Sequence, residues 1–328
     1  MAKAKKDDNK GQVKIAFDLK KDSSFAPFDA PTFVKTSVGE KAMEGKPASV
    51  KTVAGNKFAE GKPAFAKAMA GKPAIKNGAA FNNYGFSRFK KPLYDPKSKT
   101  PFSLSRSKVD MFLKCPRCFY LEQRLGVKIP SGPGFSLNSA VDHLLKKEFD
   151  IRRAKGEAHP LMAHYGIDAV PARHEELEVW RENFKGMRVL HKPTNFEMFG
   201  AIDDIWINPQ GEYYIVDYKS TSTTKEITLD DQWKQWYKIQ AEFYQWLFRA
   251  RDFLVNDMAY FVFANATKDR EAFDGRLEFE MSILPHKGSD AWVEPTLLKM
   301  KDCLESSEPP AAGDGCEYCA YIEKARNV

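Results

Sequence analysis

The stretch that decides the fold is Gly200-Ala-Ile-Asp203-Asp-Ile-Trp-Ile-Asn-Pro-Gln-Gly211-Glu-Tyr-Tyr-Ile-Val-Asp217-Tyr-Lys219. Two segments rich in β-forming residues flank Asn208-Pro-Gln-Gly, and Pro209 excludes the hairpin turns that need a positive φ at that position. A type I turn followed by a left-handed Gly211 and a G1 bulge fits these residues. The sequence therefore predicts a β-hairpin in which Asn208 pairs with Glu212.

This register places two carboxylates opposite each other. Asp203 faces Asp217 across the hairpin, and Lys219 shares their face because side chains alternate along a strand. Facing carboxylates repel, and burying them beside Ile205 and Ile215 is costly unless a counter-charge is present. A divalent cation such as Mg²⁺ or Mn²⁺, which prefers carboxylate oxygens, would relieve the repulsion. The alternative is a structural ion pair of Asp217 with Lys219.

A helix predicted over residues 230–250 carries Gln240-Ala-Glu-Phe-Tyr244. The spacing of four residues puts Gln240 and Tyr244 on one helix face, where both could reach a phosphate or a metal-bound water. The alternative is an aromatic core helix, since Trp and Phe residues fill much of this segment.

The remaining periodicity predicts an α/β or α+β domain with a central mixed sheet flanked by helices. Order is expected to begin near Pro101, and Pro116 is expected to interrupt the first helix. Further helices are predicted over 137–151, 172–185 and 290–305, and strands over 196–207, 212–219, 259–264 and 276–283.

Residues 1–100 differ from residues 101–328, which form the predicted domain. They hold 21 basic and 9 acidic side chains and three copies of Gly-Lys-Pro-Ala, beginning at Gly45, Gly61 and Gly71. A segment rich in Lys, Pro and Gly cannot offset the entropy of ordering, so we predict a disordered basic arm. The arm either attracts phosphates through its lysines or serves as a solvated spacer.

Five cysteines is an odd count that argues against a secreted disulfide framework. The sequence shows no apolar run long enough for a bilayer and no signal peptide at its start, so we expect a cytoplasmic protein without a membrane partner. In a reducing compartment, two C-x-x-C pairs indicate a four-thiolate metal site formed by Cys115, Cys118, Cys316 and Cys319. The alternative is buried free thiols.

Four motifs, in this order, resemble those of the PD-(D/E)xK nuclease superfamily, and most closely its branch of RecB-type nuclease domains and CRISPR-adaptation exonucleases. The likeness covers about 101–328 and implies a restriction-endonuclease-like core. The motifs are the Ser-rich start from Ser103 into Cys115-Pro, Gly200-x-Ile-Asp203, Ile215-Val-Asp217-Tyr-Lys219 and Gln240-x-x-x-Tyr244.

The resemblance implies a metal-dependent nuclease that hydrolyses phosphodiester bonds in DNA, in recombination, repair or phage-related DNA processing. Asp203 and Asp217 would ligate Mg²⁺ or Mn²⁺, and Lys219 would position the attacking water and stabilise charge on the phosphate. Gln240 and Tyr244 would support Lys219 or the nucleic-acid backbone.

Two features depart from the family pattern. Where the branch has a metal-ligating His in its first motif, this chain has Asp142, with His143 as the alternative ligand. Part of the branch holds an iron–sulfur cluster with one early and three late cysteines, but no cysteine follows Cys319 here. Cys303 lies on a predicted apolar stripe, so the two C-x-x-C pairs are the better set for an iron–sulfur cluster or a structural Zn²⁺.

Two other functions remain open from the sequence. One is a non-catalytic nucleic-acid-binding or assembly module with a decayed nuclease site. The other is a subunit whose nuclease acts only with a helicase. The sequence contains no Gly-x-x-x-x-Gly-Lys-Ser/Thr motif, so an ATP-driven helicase partner would have to be a separate chain.

Overall fold

The computed structural model describes residues 92–130, 132 and 134–327. The predicted arm lies outside the described residues, apart from residues 92–100. Within those, Tyr94 is 5% exposed and packs edge-on against Phe102 and Phe196. The packed domain therefore includes Tyr94, which precedes the predicted boundary near Pro101.

The helices and strands largely follow the predicted order. Among the described residues, the helices are α1 Arg106–Lys114, α2 Pro116–Leu125, α3 Ser136–Lys155, α4 Pro160–His164, α5 Leu177–Trp180, α6 Gln235–Arg249, α7 Val293–Glu305 and α8 Glu317–Arg326. The strands are β1 Phe102–Ser105, β2 Val170–Pro171, β3 Met187–His191, β4 Phe196–Gly200, β5 Asp204–Ile207, β6 Tyr213–Thr221, β7 Val255–Ala266 and β8 Phe279–Lys287. In this part of the chain, no helix combines the length and hydropathy that a bilayer crossing requires.

Two details of the predicted elements are wrong. The helix predicted over 172–185 shrinks to α5, one turn long, and the strand predicted over 196–207 is two strands. The break between β4 and β5 falls at residues 201–203, where the Tyr244 hydroxyl bonds the Ala201 carbonyl and the Arg181 guanidinium bonds the Asp203 carbonyl. These side chains take backbone acceptors that a continuous strand would offer to a neighbouring strand.

The predicted mixed α/β architecture is confirmed, but the strands form two sheets. One has the order β1-β4-β3, with β1 and β4 parallel, and the other has the order β2-β5-β6-β7-β8, with β6 and β7 parallel. Helix α6 contacts β6 and β7 of the larger sheet and β3 and β4 of the smaller one. The break before β5 thus lets one helix pack against both sheets.

The larger sheet is buried on both faces. Ile205 and Ile215 on one face pack into a core with Phe243 and Leu247 of α6, while Trp206 on the other face packs with residues of α3 and α4. Burial on both sides excludes water from the hairpin, so any charge placed there needs a protein partner.

The hairpin has the predicted register. Ile205 pairs with Ile215, the Gly211 amide donates to the Asn208 carbonyl at 3.0 Å, and the Asn208 amide donates to the Glu212 carbonyl at 3.1 Å. Gly211 has φ +80°, the left-handed conformation that the predicted G1 bulge requires.

Helix α3 carries a partly wrong prediction. Leu145 and Phe149 are buried as expected, but Leu137 and Leu144 of the same predicted stripe are more than half exposed. The reason is that Leu145 and Phe149 join the core on that face of the sheet, whereas Leu137 and Leu144 lie outside both described core clusters.

A close contact joins α6 to the end of β4. The Tyr244 ring packs against Gly200, so that a β-carbon added at Gly200 would lie 2.5 Å from the Tyr244 Cε1 atom. The Tyr244 hydroxyl donates to the Ala201 carbonyl oxygen at 2.6 Å. A residue without a side chain is therefore needed at position 200. Through its hydrogen bond to Ala201, Tyr244 also holds the segment that leads to Asp203.

We predict that Gly200→Ala lowers the free energy of unfolding by about 1–3 kcal/mol, because the added methyl group overpacks the Tyr244 contact. Urea denaturation measures the change. Gly134→Ala is the matched control, since a β-carbon there meets no atom within 4 Å, and it should unfold as the wild type does. Equal stability of both variants would show that the Tyr244 ring moves aside without cost.

Candidate active site

Two carboxylates lie side by side at the start of the hairpin. Asp217 of β6 is 1% exposed, and Asp203, just before β5, accepts a hydrogen bond from the Tyr218 amide at 3.0 Å. Burial raises the pKa of Asp217 to about 7, and the neighbouring Asp203 charge adds to this effect while Lys219 opposes it. The site thus brings two carboxylates together, one of which, Asp217, is shielded from water.

Each carboxylate has its own lysine. The Lys219 ammonium forms an ion pair with Asp217 Oδ2, and Lys146 Nζ of α3 lies 3.1 Å from Asp203 Oδ1. Burial opposes ionisation of Asp203, yet Lys146, Lys219 and the Tyr218 amide together hold its pKa below the usual value. A divalent cation entering between the carboxylates would compete with these two ammonium groups.

Gln240 of α6 joins the site as the helical spacing predicts. Its Nε2 donates to Asp217 Oδ1 at 2.8 Å, and its Oε1 accepts from Lys219 Nζ at 3.4 Å. The Tyr237 ring, one turn earlier, lies 4.6 Å from the same ammonium. Lys219 is therefore held from three sides, by a carboxylate, an amide and an aromatic ring.

Tyr244 is placed differently from Gln240, although both belong to the same motif. Tyr244 is 4% exposed, burial raises its pKa to about 12, and its hydroxyl bonds the Ala201 carbonyl oxygen. The structure therefore brings Gln240 to the charged groups and places Tyr244 against the backbone that precedes Asp203.

The two candidates for the first-motif ligand, adjacent on α3, are placed differently. Asp142 Oδ2 accepts a hydrogen bond from Lys146 Nζ at 2.9 Å, so that one lysine bridges Asp142 and Asp203. Burial and the Asp203 charge raise the pKa of Asp142. His143 is exposed and lines the same cleft.

Asp203 and Lys219 line a cleft of about 1090 Å³. Its walls come from the start of α1, one face of α3, the segment around α5, the end of β6, and α6. The charged side chains lining it include both signs: Arg106, Lys146, Lys147, Arg181 and Lys219, and Asp142, Asp150, Glu178, Glu182 and Asp203. Asp203 and Lys219 are thus accessible from a cleft whose lining carries charges of both signs.

A buried network beneath the hairpin holds these groups in place. Asp204 is 0% exposed and accepts hydrogen bonds from the Tyr218 hydroxyl at 2.6 Å, from Arg181 at 3.1 Å, and from Arg153. Arg181 Nε also donates to the Asp203 carbonyl at 3.0 Å. The network thus fixes the Asp203 backbone and the residue whose amide bonds the Asp203 side chain.

Sequence reasoning missed Lys146 and the Asp204 network. Lys146 follows Asp142 by four residues, which is the spacing of a helical ion pair and could have indicated it. Asp204 alternates with Asp203 and so falls on the face of Trp206, which is apolar, and a charged residue there signals buried partners. Arg153 and Arg181 are distant in sequence and carry no local signal.

The four predicted cysteines converge. Cys115 Sγ lies 3.7 Å from Cys319 Sγ, and Cys118 Sγ lies 3.6 Å from both Cys316 Sγ and Cys319 Sγ. All four sulfurs are within 4.8 Å of one another. Cys303 stands apart, and its Sγ faces the Pro116 carbonyl. The donor set of four thiolates could hold a soft or borderline metal ion.

The donors around Asp203 and Asp217 fit a different ion. Carboxylate oxygens suit hard cations such as Mg²⁺ and Mn²⁺, and the closely spaced pair of buried carboxylates carries the charge that such an ion would neutralise. Asp142 lies close enough to share Lys146 with Asp203.

Comparison with known proteins identifies the family. No curated protein matches the chain. Among solved structures, one titled "Crystal structure of SSO0001" is 16% identical, with a TM-score of 0.30, and the match covers 69% of this chain and 86% of that one. The family model described as the PD-(D/E)XK nuclease superfamily matches residues 103–323, which include the carboxylate pair and all four converging cysteines. The chain belongs to the PD-(D/E)XK nuclease superfamily.

Proposed function

We propose that the protein is a divalent-metal-dependent nuclease that hydrolyses phosphodiester bonds in DNA. The observation that carries this proposal is the convergence of Asp203, Asp217 and Lys219 beside one open cleft, which Asp203 and Lys219 line, with Lys219 held by Gln240. Membership in the nuclease superfamily supports the same reaction class. By its resemblance to the RecB-type branch, the protein would serve recombination, repair or phage-related DNA processing.

Asp203 and Asp217 would hold Mg²⁺ or Mn²⁺, which when bound lowers the pKa of a water molecule and neutralises charge on the phosphate. We propose Asp142 as the further carboxylate, because Lys146 couples it to Asp203, and keep His143 as the alternative. Lys146 and Lys219 hold these carboxylates in place through their ion pairs.

Lys219 would act on the substrate. Its ammonium would orient the attacking water and stabilise negative charge that develops on the phosphate. Gln240 and Tyr237 restrict the ammonium, and a preorganised charge needs no rearrangement during the reaction. Tyr244 is a positioning residue, because it is buried against Ala201 and fixes the segment before Asp203.

We predict that Lys219→Ala slows cleavage by roughly 10²-fold or more, because the substrate loses this electrostatic stabilisation. The assay uses end-labelled single- and double-stranded DNA with Mg²⁺ or Mn²⁺. Lys299→Ala, which changes an exposed lysine of α7, is the matched control and should cleave as the wild type does.

The same assay tests the non-catalytic alternative. A binding module with a decayed site would bind DNA but leave it intact with either metal, including when a helicase is added as the separate partner chain. In that case Lys219→Ala would lower the melting temperature by breaking a structural ion pair, with no cleavage to lose. That combination would refute the proposed function.

A second pair of variants identifies the first-motif ligand. We predict that Asp142→Ala weakens Mn²⁺ binding, measured by calorimetry, and lowers cleavage at limiting Mn²⁺, since a carboxylate oxygen is lost. His143→Ala should change neither quantity, because His143 is exposed and Lys146 bridges Asp142 instead. The opposite result would assign the ligand to His143.

The basic arm supports DNA as the substrate. Its excess of 21 basic over 9 acidic residues would add salt-sensitive affinity that does not depend on sequence. We predict that deleting residues 1–91, which keeps Tyr94, weakens DNA binding at low salt and leaves turnover at saturating DNA nearly unchanged. Equal binding by both proteins, measured by fluorescence anisotropy across salt concentrations, would make the arm a spacer.

A further inference from the structure

The four converging cysteines lie at two helix starts. Cys115 is the N-terminal cap of α2 and Cys118 lies in its first turn, while Cys316 and Cys319 occupy the same positions in α8. Cys115 Sγ accepts hydrogen bonds from the backbone amides of Cys118 at 3.4 Å and Gly313 at 3.2 Å. Amides directed at a sulfur stabilise its thiolate form, which is the form that binds metal.

The spacing of the sulfurs favours a single metal ion over a cluster. A tetrahedral Zn²⁺ with Zn–S bonds of about 2.3 Å places its sulfurs about 3.8 Å apart. Three of the pairs lie at 3.6 to 3.7 Å, and all pairs lie within 4.8 Å. An iron–sulfur cluster has several irons and bridging sulfides between its cysteine ligands, so its thiolates must stand further apart. The four sulfurs enclose space for one ion.

Among the residues that the structure describes, few other contacts hold helix α8 in place. None of its ten residues is buried, and its larger apolar side chains, Tyr318, Tyr321 and Ile322, are 41% to 74% exposed. Just before the helix, Gly313 lies so close to α1 and α2 that an added β-carbon would meet the Lys114 carbonyl and sit 2.9 Å from Cys115 Cα. The segment that leads into α8 therefore contacts the α1–α2 junction next to the cysteines. In the described part of the chain, the helix itself packs no apolar face against that junction.

We propose that Cys115, Cys118, Cys316 and Cys319 bind one Zn²⁺ as four thiolates, and that this ion fastens α8 to the α1–α2 junction. The inference differs from the iron–sulfur cluster that the family resemblance suggests. It does not depend on the proposed nuclease activity, because it rests on a separate donor set.

The first test is the metal content of the full-length protein, purified anaerobically without added metal. Elemental analysis by plasma mass spectrometry should find one zinc per chain and no iron. A chemical assay should find no acid-labile sulfide. Replacement by Co²⁺ should give the visible absorption of a tetrahedral cobalt–thiolate site. Several irons with labile sulfide, or a reduced protein that carries no metal and binds none, would overturn the proposal.

The second test asks whether the ion holds α8 against the α1–α2 junction. Cys316→Ser should lose the zinc, and its α8 amides should exchange hydrogen far faster, because ion binding is what orders this helix. Cys303→Ser is the matched control, since Cys303 faces Pro116 outside the cluster, and it should keep one zinc and its α8 protection.

A chelator applied to the wild type gives the same comparison without a substitution. Removing the ion should increase exchange in α8 while β6 and β7 stay protected. If α8 keeps its protection after the zinc is gone, or if Cys316→Ser keeps a full zinc content, the proposed fastening is wrong. These outcomes are independent of DNA cleavage, so a failed nuclease proposal would not affect them.

Discussion

The repulsion between Asp203 and Asp217 is the constraint on which much of the structure depends. Two carboxylates at adjoining positions of a sheet that is buried on both faces repel each other, and the burial of Asp217 removes most of the water that would screen its charge. One lysine forms an ion pair with each carboxylate: Lys146 of α3 with Asp203, and Lys219 of β6 with Asp217. Helices α3 and α6 lie on opposite faces of this sheet. Even so, both bring a side chain to the carboxylate pair: Lys146 of α3 contacts Asp203, and Gln240 of α6 contacts Asp217.

A second group of buried charges, centred on Asp204, supports the carboxylate pair. Asp204 points to the opposite face from Asp203 and is enclosed by Arg153, Arg181 and the Tyr218 hydroxyl. Breaking such a pair would leave a buried charge without a partner, which costs several kcal/mol, about 3–5. Arg181 also donates a hydrogen bond to the Asp203 carbonyl, so a change that displaces Arg181 from Asp204 would also disturb the backbone at Asp203.

The parts of the site that sequence could predict are those set by local geometry. Pro209 and Gly211 determine the turn, the turn determines the register, and the register puts Asp203 beside Asp217. Helical spacing likewise placed Gln240 on the correct side of α6. Sequence alone could not divide the strands into two sheets, because the break before β5 depends on Tyr244 and on Arg181, which is remote from the strands in sequence.

The same distinction explains the fold's other surprises. Tyr94 is buried by Phe102 and Phe196, which are far enough along the chain that its own neighbours gave no sign of burial. Leu137 and Leu144 follow the same helical apolar pattern as Leu145 and Phe149, yet they are more than half exposed and lie outside the packed core. Periodicity identifies which residues share a face, and only tertiary contacts decide what that face meets.

The position of the cysteine cluster along the chain has a mechanical consequence. Cys115 lies near the start of the domain and Cys319 near its end, and their sulfurs are neighbours. Once an ion joins the four thiolates, the chain from Cys118 to Cys316 becomes a loop closed by metal–sulfur bonds, and β5 and β6 lie inside it. Tension applied between the two termini would load β1, which precedes Cys115, and then the metal–sulfur bonds, before it reached the hairpin that holds Asp203 and Asp217.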